Sequence, residues 1–192
     1  MQLQRFLLDR GLVVEPSPGC NLIQLIAKET NLEAWLAEGK RLMDHNEFRE
    51  ASMAFRRAGD TYLVAFATAC HLRQIARGKS ASSTPREKRD AFAKAAGSFE
   101  RCSNMIEDPE EQSAHYARAA KCYAEGNSHQ NAVRAFKLAK KYTEAAFHCL
   151  HNNLLDEAVA ILKDARARLD PDAIEMITQT ARLKYLKADR LE

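Results

Sequence analysis

The sequence predicts an all-α protein, an irregular α-solenoid of about four helix pairs closed by a C-terminal helix. Its 46% hydrophobic content is carried largely by Ala and Leu, with few β-branched runs and only seven Gly and five Pro among 192 residues. That composition favours helix over strand. Apolar residues recur at helical spacing along the chain, and strand-like alternation is confined to about Leu12–Val14. The stretch 35–58, WLAEGKRLMDHNEFREASMAFRRA, reads as two short antiparallel helices. Gly39 and Ala51 let them approach, and Trp35, Leu42, Phe48 and Phe55 fill the space between. Such a unit cannot bury its apolar face alone, so copies must stack.

In chain order, residues 1–30 form an N-terminal helix and linker segment. Positions 1–9 suit a short helix, GLVVEPSPG at 11–19 is turn-rich because its prolines and glycines oppose helix, and 21–29 suits a second short helix. Residues 31–192 form the helical repeat domain. Thr30 with Glu33 gives a capping-box pattern, with Asn31 as the alternative cap. The first pair turns at Asp44-His45-Asn46. Asp60 then caps a helix over about 61–77 whose apolar residues surround most of its circumference, which predicts a central position. The stretch at 78–85, GKSASSTP, is a loop insertion. Thr84-Pro85-Arg86-Glu87 opens the next helix with a proline at its first position and a capping box, and Asp108-Pro109-Glu110-Glu111 repeats that logic with carboxylates on the positive end of the helix dipole. Helices follow over about 128–139, 141–150 and 155–169, and Asp170-Pro171-Asp172 starts the last, towards Lys187.

A net charge of +3 is close to neutral for this length and demands neither nucleic acid nor an anionic membrane as partner. The five cysteines, Cys20, Cys70, Cys102, Cys122 and Cys149, are scattered and odd in number, and Cys70, Cys122 and Cys149 each have an Ala, Leu or aromatic neighbour. They read as small buried hydrophobes in a reducing compartment. No apolar run approaches the ~20 residues that span a bilayer, and the N-terminus is too charged for a signal peptide. An intracellular location, cytoplasmic or nuclear, is expected, with no membrane partner.

Trp35, Gly39, Leu42, Ala51, Phe55 and Ala58 are spaced by 4, 3, 9, 4 and 3 residues, and Tyr116, Ala120, Tyr123, Ala132, Phe136 and Ala139 reproduce all five intervals. Ala146, Cys149, Ala158, Leu162 and Ala165 keep the offsets in a further pair. Ala95, Phe99 and Cys102 match the second helix of another. These positions resemble the tetratricopeptide repeat, whose pattern is W…G…Y…A…F…A. The order of segments, with EAWLAEGKRLMDHNEFREASMAFRRAGD, ACHLRQIARG, KCYAEGN, AVRAFKLAKKYTEAAFHC, LLDEAVAIL and ARLKYLK, is similar to the tetratricopeptide-like region of large fungal proteins that carry a UvrD-like helicase domain, relatives of tetratricopeptide and ankyrin repeat-containing proteins. That resemblance covers about residue 32 to the C-terminus. It implies a helicase-associated piece, or stand-alone relative, of a larger machine. ATPase activity does not carry over, because the sequence holds no GxxxxGK[ST] loop to cradle phosphate.

The resemblance further implies that the first helix of each pair lines a binding groove. By offset, its residues are Leu36, Lys40 and Met43, then Ala117, Lys121 and Ala124, then Lys140, Thr143 and Phe147. The Lys and Asn pairs with which chaperone-binding members hold a terminal carboxylate are not reproduced, leaving a mixed apolar and basic groove. Read from the residues alone, Arg118, Arg134, Lys137 and Lys141 form a basic patch, with Arg134, Lys137 and Lys141 sharing a face if their helix continues past Ala139.

Catalysis finds no support, and no enzyme activity is expected. Ser52, Ser98 and Ser103 lack a neighbouring base, and the acidic pairs Glu110-Glu111 and Asp156-Glu157 belong to helix starts and solvated faces. His148 and His151, three apart around Cys149, lack the further ligands of a metal site, and Cys70-His71 fares no better. No cofactor and no metal are expected. Ser80, with Arg77 three residues before it, has the spacing of a kinase site. The expected function is a non-catalytic scaffold that binds a protein or peptide segment. The alternative is a nucleic-acid-associated accessory domain using the basic cluster at 118–141. Neither the partner's identity nor the oligomeric state follows from the sequence.

Overall fold

The structure, a computed structural model, describes residues 31–79 and 83–188, with side chains described as far as Lys184. The expectations for residues 1–30, including Thr30 and Cys20, and for Ser80 lie outside the described residues. Within them the chain forms nine α-helices and no strand: α1 Leu32–Asp44, α2 Phe48–Arg57, α3 Thr61–Arg77, α4 Pro85–Ser103, α5 Pro109–Glu125, α6 His129–Leu138, α7 Tyr142–His151, α8 Leu155–Ala165 and α9 Pro171–Ala188, with one 3₁₀ turn at Arg166–Arg168. The described residues divide into two compact units, with the boundary between Val64 and Ala65. That boundary falls within α3.

Four helix starts, those of α1, α3, α4 and α5, carry a side-chain cap. Asn31 is the cap of α1, its Oδ1 accepting from the Ala34 amide at 3.0 Å. Asp60 accepts from Leu63 at 2.8 Å. At α4 both halves of the capping box form, Glu87 N to Thr84 Oγ1 at 3.2 Å and Thr84 N to Glu87 Oε2 at 3.0 Å. Asp108 accepts from Glu111 at 3.0 Å, with Pro109 in the first helical position.

Five helix ends, those of α1, α2, α5, α6 and α7, share one device. Asn46, Asn127, Lys140 and Asn153 have φ between 55° and 60°, and Gly59 has φ 76°. In each case the next amide reaches back five residues: Glu47 to Leu42, Asp60 to Phe55, Ser128 to Tyr123, Lys141 to Phe136 and Leu154 to Cys149, at 2.8–3.1 Å. These are Schellman turns, in which one left-handed residue satisfies the last carbonyls of a helix. Asn and Gly tolerate that conformation, whereas Lys140 holds it against the clash of its Cβ.

In the first unit α1 and α2 run antiparallel, since Gly39 meets Phe55 and Trp35 stacks under the Arg57 guanidinium at 4.5 Å. A Cβ on Gly39 would lie 2.6 Å from Phe55 Cδ1. Leu42, Ala51, Ala54 and Phe55 are buried between the helices.

In the second unit α4 and α5 form an antiparallel pair closed by Gly126, where a Cβ would stand 2.8 Å from that of Phe92. Ser113 Oγ donates to the Ala139 carbonyl at 2.7 Å and so ties the start of α5 to the end of α6. Thr143 Oγ1 accepts from the Asp170 amide at 3.2 Å, joining α7 to the start of α9. Ala95, Phe99, Cys102, Ala120, Ala132, Ala146, Cys149 and Ala158, all positions of the repeated spacing, are no more than 1% exposed. The core is built from small residues where helices cross, with Phe99, Ile161 and Ile177 as its bulk.

Helix α3 departs from the expectation of a central helix. Only Ala67, Ala69 and Ala76 of it are buried, and Ile75 is 47% exposed. Leu72 and Ile75 instead line an open cleft of about 370 Å³ against the first turns of α4. An apolar circumference guarantees burial only if neighbours surround the helix, and here part of it faces that cleft.

Candidate functional site

The most distinctive polar surface lies where α3 runs beside α5 in the second unit. Phe66 of α3 meets His115 of α5 edge-on at 5.4 Å, and the Arg118 guanidinium lies 5.2 Å over the Phe66 ring. Two to three turns further on, Arg73 and Arg77 of α3 both bond to Glu125 of α5. Residue numbers rise together along the two helices, so they are parallel neighbours although α4 separates them in sequence.

Helical periodicity explains which side chains meet. Phe66, Cys70, Arg73 and Arg77 form one stripe of α3, and His115, Arg118, Cys122 and Glu125 form the facing stripe of α5. Lys121 stands beside Arg118 and Glu125 on the same side of α5 and is exposed, with no polar partner among the described residues. Apolar contact dominates the start of this seam, and charge dominates its end.

Arg77 makes a bidentate fork on Glu125, Nε to Oε2 at 2.8 Å and Nη2 to Oε1 at 2.7 Å. Arg73 Nη2 bonds the same Oε1. The bond from Arg77 holds the Glu125 carboxyl below its usual range; burial opposes this and Arg73 reinforces it. Arg77 is correspondingly raised, first by that hydrogen bond. Four cations, Arg73, Arg77, Arg118 and Lys121, thus share a strip with one carboxylate. The Arg77 side chain remains 56% exposed while that of Glu125 is only 28% exposed. The Arg77 guanidinium is therefore open to solvent on one side.

Beneath the strip, His115 is 2% exposed, sandwiched by Phe66 and Phe99. Burial pushes its pKa down to about 4, assisted by Arg118, whose Nη1 lies 3.5 Å from Nδ1. The imidazole is neutral at pH 7. Burial raises the thiols of Cys70, Cys102, Cys122 and Cys149 to about 11, leaving them protonated and poor nucleophiles.

Within the basic patch of Arg118, Arg134, Lys137 and Lys141, the single face expected for Arg134, Lys137 and Lys141 if their helix ran past Ala139 does not form. Helix α6 stops at Leu138, and the left-handed Lys140 turns the chain, so Lys141 becomes the residue before α7. Arg134 bonds Glu100 of α4 at 2.6 Å, and Lys141 faces Glu144 at 3.8 Å. Arg118 is drawn to α3 instead. Of the groove residues, Lys40 is exposed and Leu36 and Met43 are half-buried on α1. Ala117 and Phe147 are half-buried, and Lys140 is exposed.

Sequence reasoning missed Arg73 and Arg77. Their four-residue spacing places them on one face, but nothing local names Glu125 as their partner 48 to 52 positions away.

His148 and His151 do not converge. His148 Nε2 lies 3.3 Å from His129 Nδ1, whereas His151 Nδ1 donates to the Phe147 carbonyl at 2.7 Å. Among the described residues no three His, Cys, Asp or Glu side chains gather as metal ligands, and no helix is long and apolar enough to cross a membrane.

Over the described residues, fold and site together define a helical protein whose second unit bears a cationic seam. Comparison with protein-family models, with curated proteins and with solved structures gave no match.

Proposed function

We propose that this chain is a non-catalytic helical-repeat scaffold, tetratricopeptide-like in its spacing, that docks a segment of another protein. The observation that carries the reading is the open strip between the parallel helices α3 and α5. There Arg73, Arg77, Arg118 and Lys121 stand against a single carboxylate, beside half-buried apolar surface from Ala117. Nothing on the strip supplies a nucleophile, since the half-buried Cys70 thiol and the buried His115 imidazole are held in their neutral forms. Extended segments bind such surfaces through a few polar anchors and an apolar strip.

Selection of peptides from a random displayed library on the immobilised chain tests the reading. The expected result is a family of peptides whose binding shifts amide resonances of α3 and α5. Absence of enrichment over the same protein carrying Arg77→Glu and Lys121→Glu together would refute it.

A further inference from the structure

We infer that the strip between α3 and α5 takes an acidic protein segment, and that Glu125 is a built-in competitor whose carboxylate the segment's own carboxylate replaces on Arg77. This rests on the docking reading above and names its partner class. The geometry argues for exchange. Arg77 holds Glu125 through Nε and one Nη, the planar fork that guanidinium offers to any carboxylate. The Arg77 side chain is 56% exposed, so an incoming carboxylate reaches it without opening the core. When Glu125 yields Arg77 it keeps Arg73, whose Nη2 bonds the same carboxylate, so neither acid is left bare. Lys121, exposed and without a partner among the described residues, supplies a second anchor one helical turn from Glu125.

Charge complementarity selects the occupant. Four cations against one anion leave an excess of positive charge over a short strip, which matches a few side-chain carboxylates better than a phosphate backbone that would need a longer basic track. The aromatic ring at this seam, Phe66, has Arg118 over its face and His115 at its side, so base stacking finds no platform.

The test measures fluorescence anisotropy of a labelled peptide of about twelve alternating Glu and Leu residues, its Gln-for-Glu counterpart, and a single-stranded oligonucleotide. The full chain and its Glu125→Gln, Arg77→Gln, Lys121→Gln and Arg134→Gln variants are compared, with circular dichroism to confirm folding. Loss of one charge-assisted contact is expected to weaken binding about tenfold for Arg77→Gln and about threefold for Lys121→Gln. Arg134→Gln should leave it unchanged. Glu125→Gln is expected to tighten binding about threefold, because the competitor loses its charge. A purely architectural role for the Arg–Glu–Arg bridge gives the opposite sign.

Weaker or unchanged binding in Glu125→Gln overturns the exchange, and the Lys121→Gln arm still decides the acidic preference if that variant misfolds. Equal binding of the Gln peptide overturns the acidic partner while leaving the docking reading in place. Absence of binding by both peptides, with no peptide selected from the library, overturns both. Preference for the oligonucleotide overturns the choice of a protein segment.

Discussion

His115 makes acid stability a direct measure of how the α3–α4–α5 core is assembled. Its imidazole is 2% exposed between Phe66 and Phe99, with a pKa lowered to about 4 from 6.5. The unfolded chain therefore takes up a proton on this side chain before the folded chain does. Stability attributable to the neutral, buried ring is complete above pH ~6.5, falls as the pH drops, and is lost by pH ~4. At ~1.4 kcal/mol per pH unit of displacement, the total is about 3 kcal/mol. Carboxylates such as Glu125, also held below their usual range, lose stability in the same direction, so the isolating variant is His115→Phe, which keeps an aromatic ring and removes the titration. Urea unfolding of both proteins, followed by far-ultraviolet circular dichroism between pH 7.5 and 4, gives the comparison. The difference in unfolding free energy, wild type minus variant, should shrink by about 3 kcal/mol across that window. Parallel pH profiles for the two proteins would refute the assignment of His115 as a buried neutral base.

Lys140→Gly removes the Cβ clash of a left-handed residue and should stabilise the second unit by about 0.5–1 kcal/mol in thermal melts; an unchanged or lowered midpoint would argue against the Schellman geometry there. Gly39→Ala places a methyl group against the Phe55 ring and should cost about 1–3 kcal/mol, read as a loss of α1–α2 amide protection in hydrogen exchange. Phe99→Ala, at the centre of the second unit, should cost about 3–5 kcal/mol in urea unfolding. Cys102, Cys122 and Cys149, each buried and with thiols at about 11, should resist labelling by a disulfide reagent at pH 8 until denaturant is added.

Much of the architecture is legible in the sequence because its signals are local. Prolines at 85, 109 and 171 each occupy the first position of a helix, and Thr84 and Asp108 accept the bonds their side chains suggest. The spacing shared by residues 35–58 and 116–139 marks positions that are largely buried, since a small residue at a crossing point can be recognised from its neighbours' periodicity alone. What depends on contacts across a distance is not legible. Helix α3 appears apolar all round, yet its surroundings leave Ile75 exposed. The meeting of Arg73 and Arg77 with Glu125 requires α3 and α5 to run parallel past an intervening helix. The basic face imagined across Arg134, Lys137 and Lys141 fails at a single backbone angle, the positive φ of Lys140, which side-chain spacing does not encode.

The Schellman turns have a consequence for how such a chain changes length in evolution. Each closes its hydrogen bonds within six consecutive residues, so the direction in which a hairpin leaves its turn is written inside that turn and owes nothing to the neighbouring hairpins. A duplication or deletion of a whole hairpin therefore carries its junction geometry with it, whereas inserting one residue beside Asn46, Asn127 or Asn153 shifts the left-handed position onto a residue that resists it. Growth by complete hairpins is the inexpensive route, and growth by single residues is confined to segments without such a turn, as between Ser103 and Pro109.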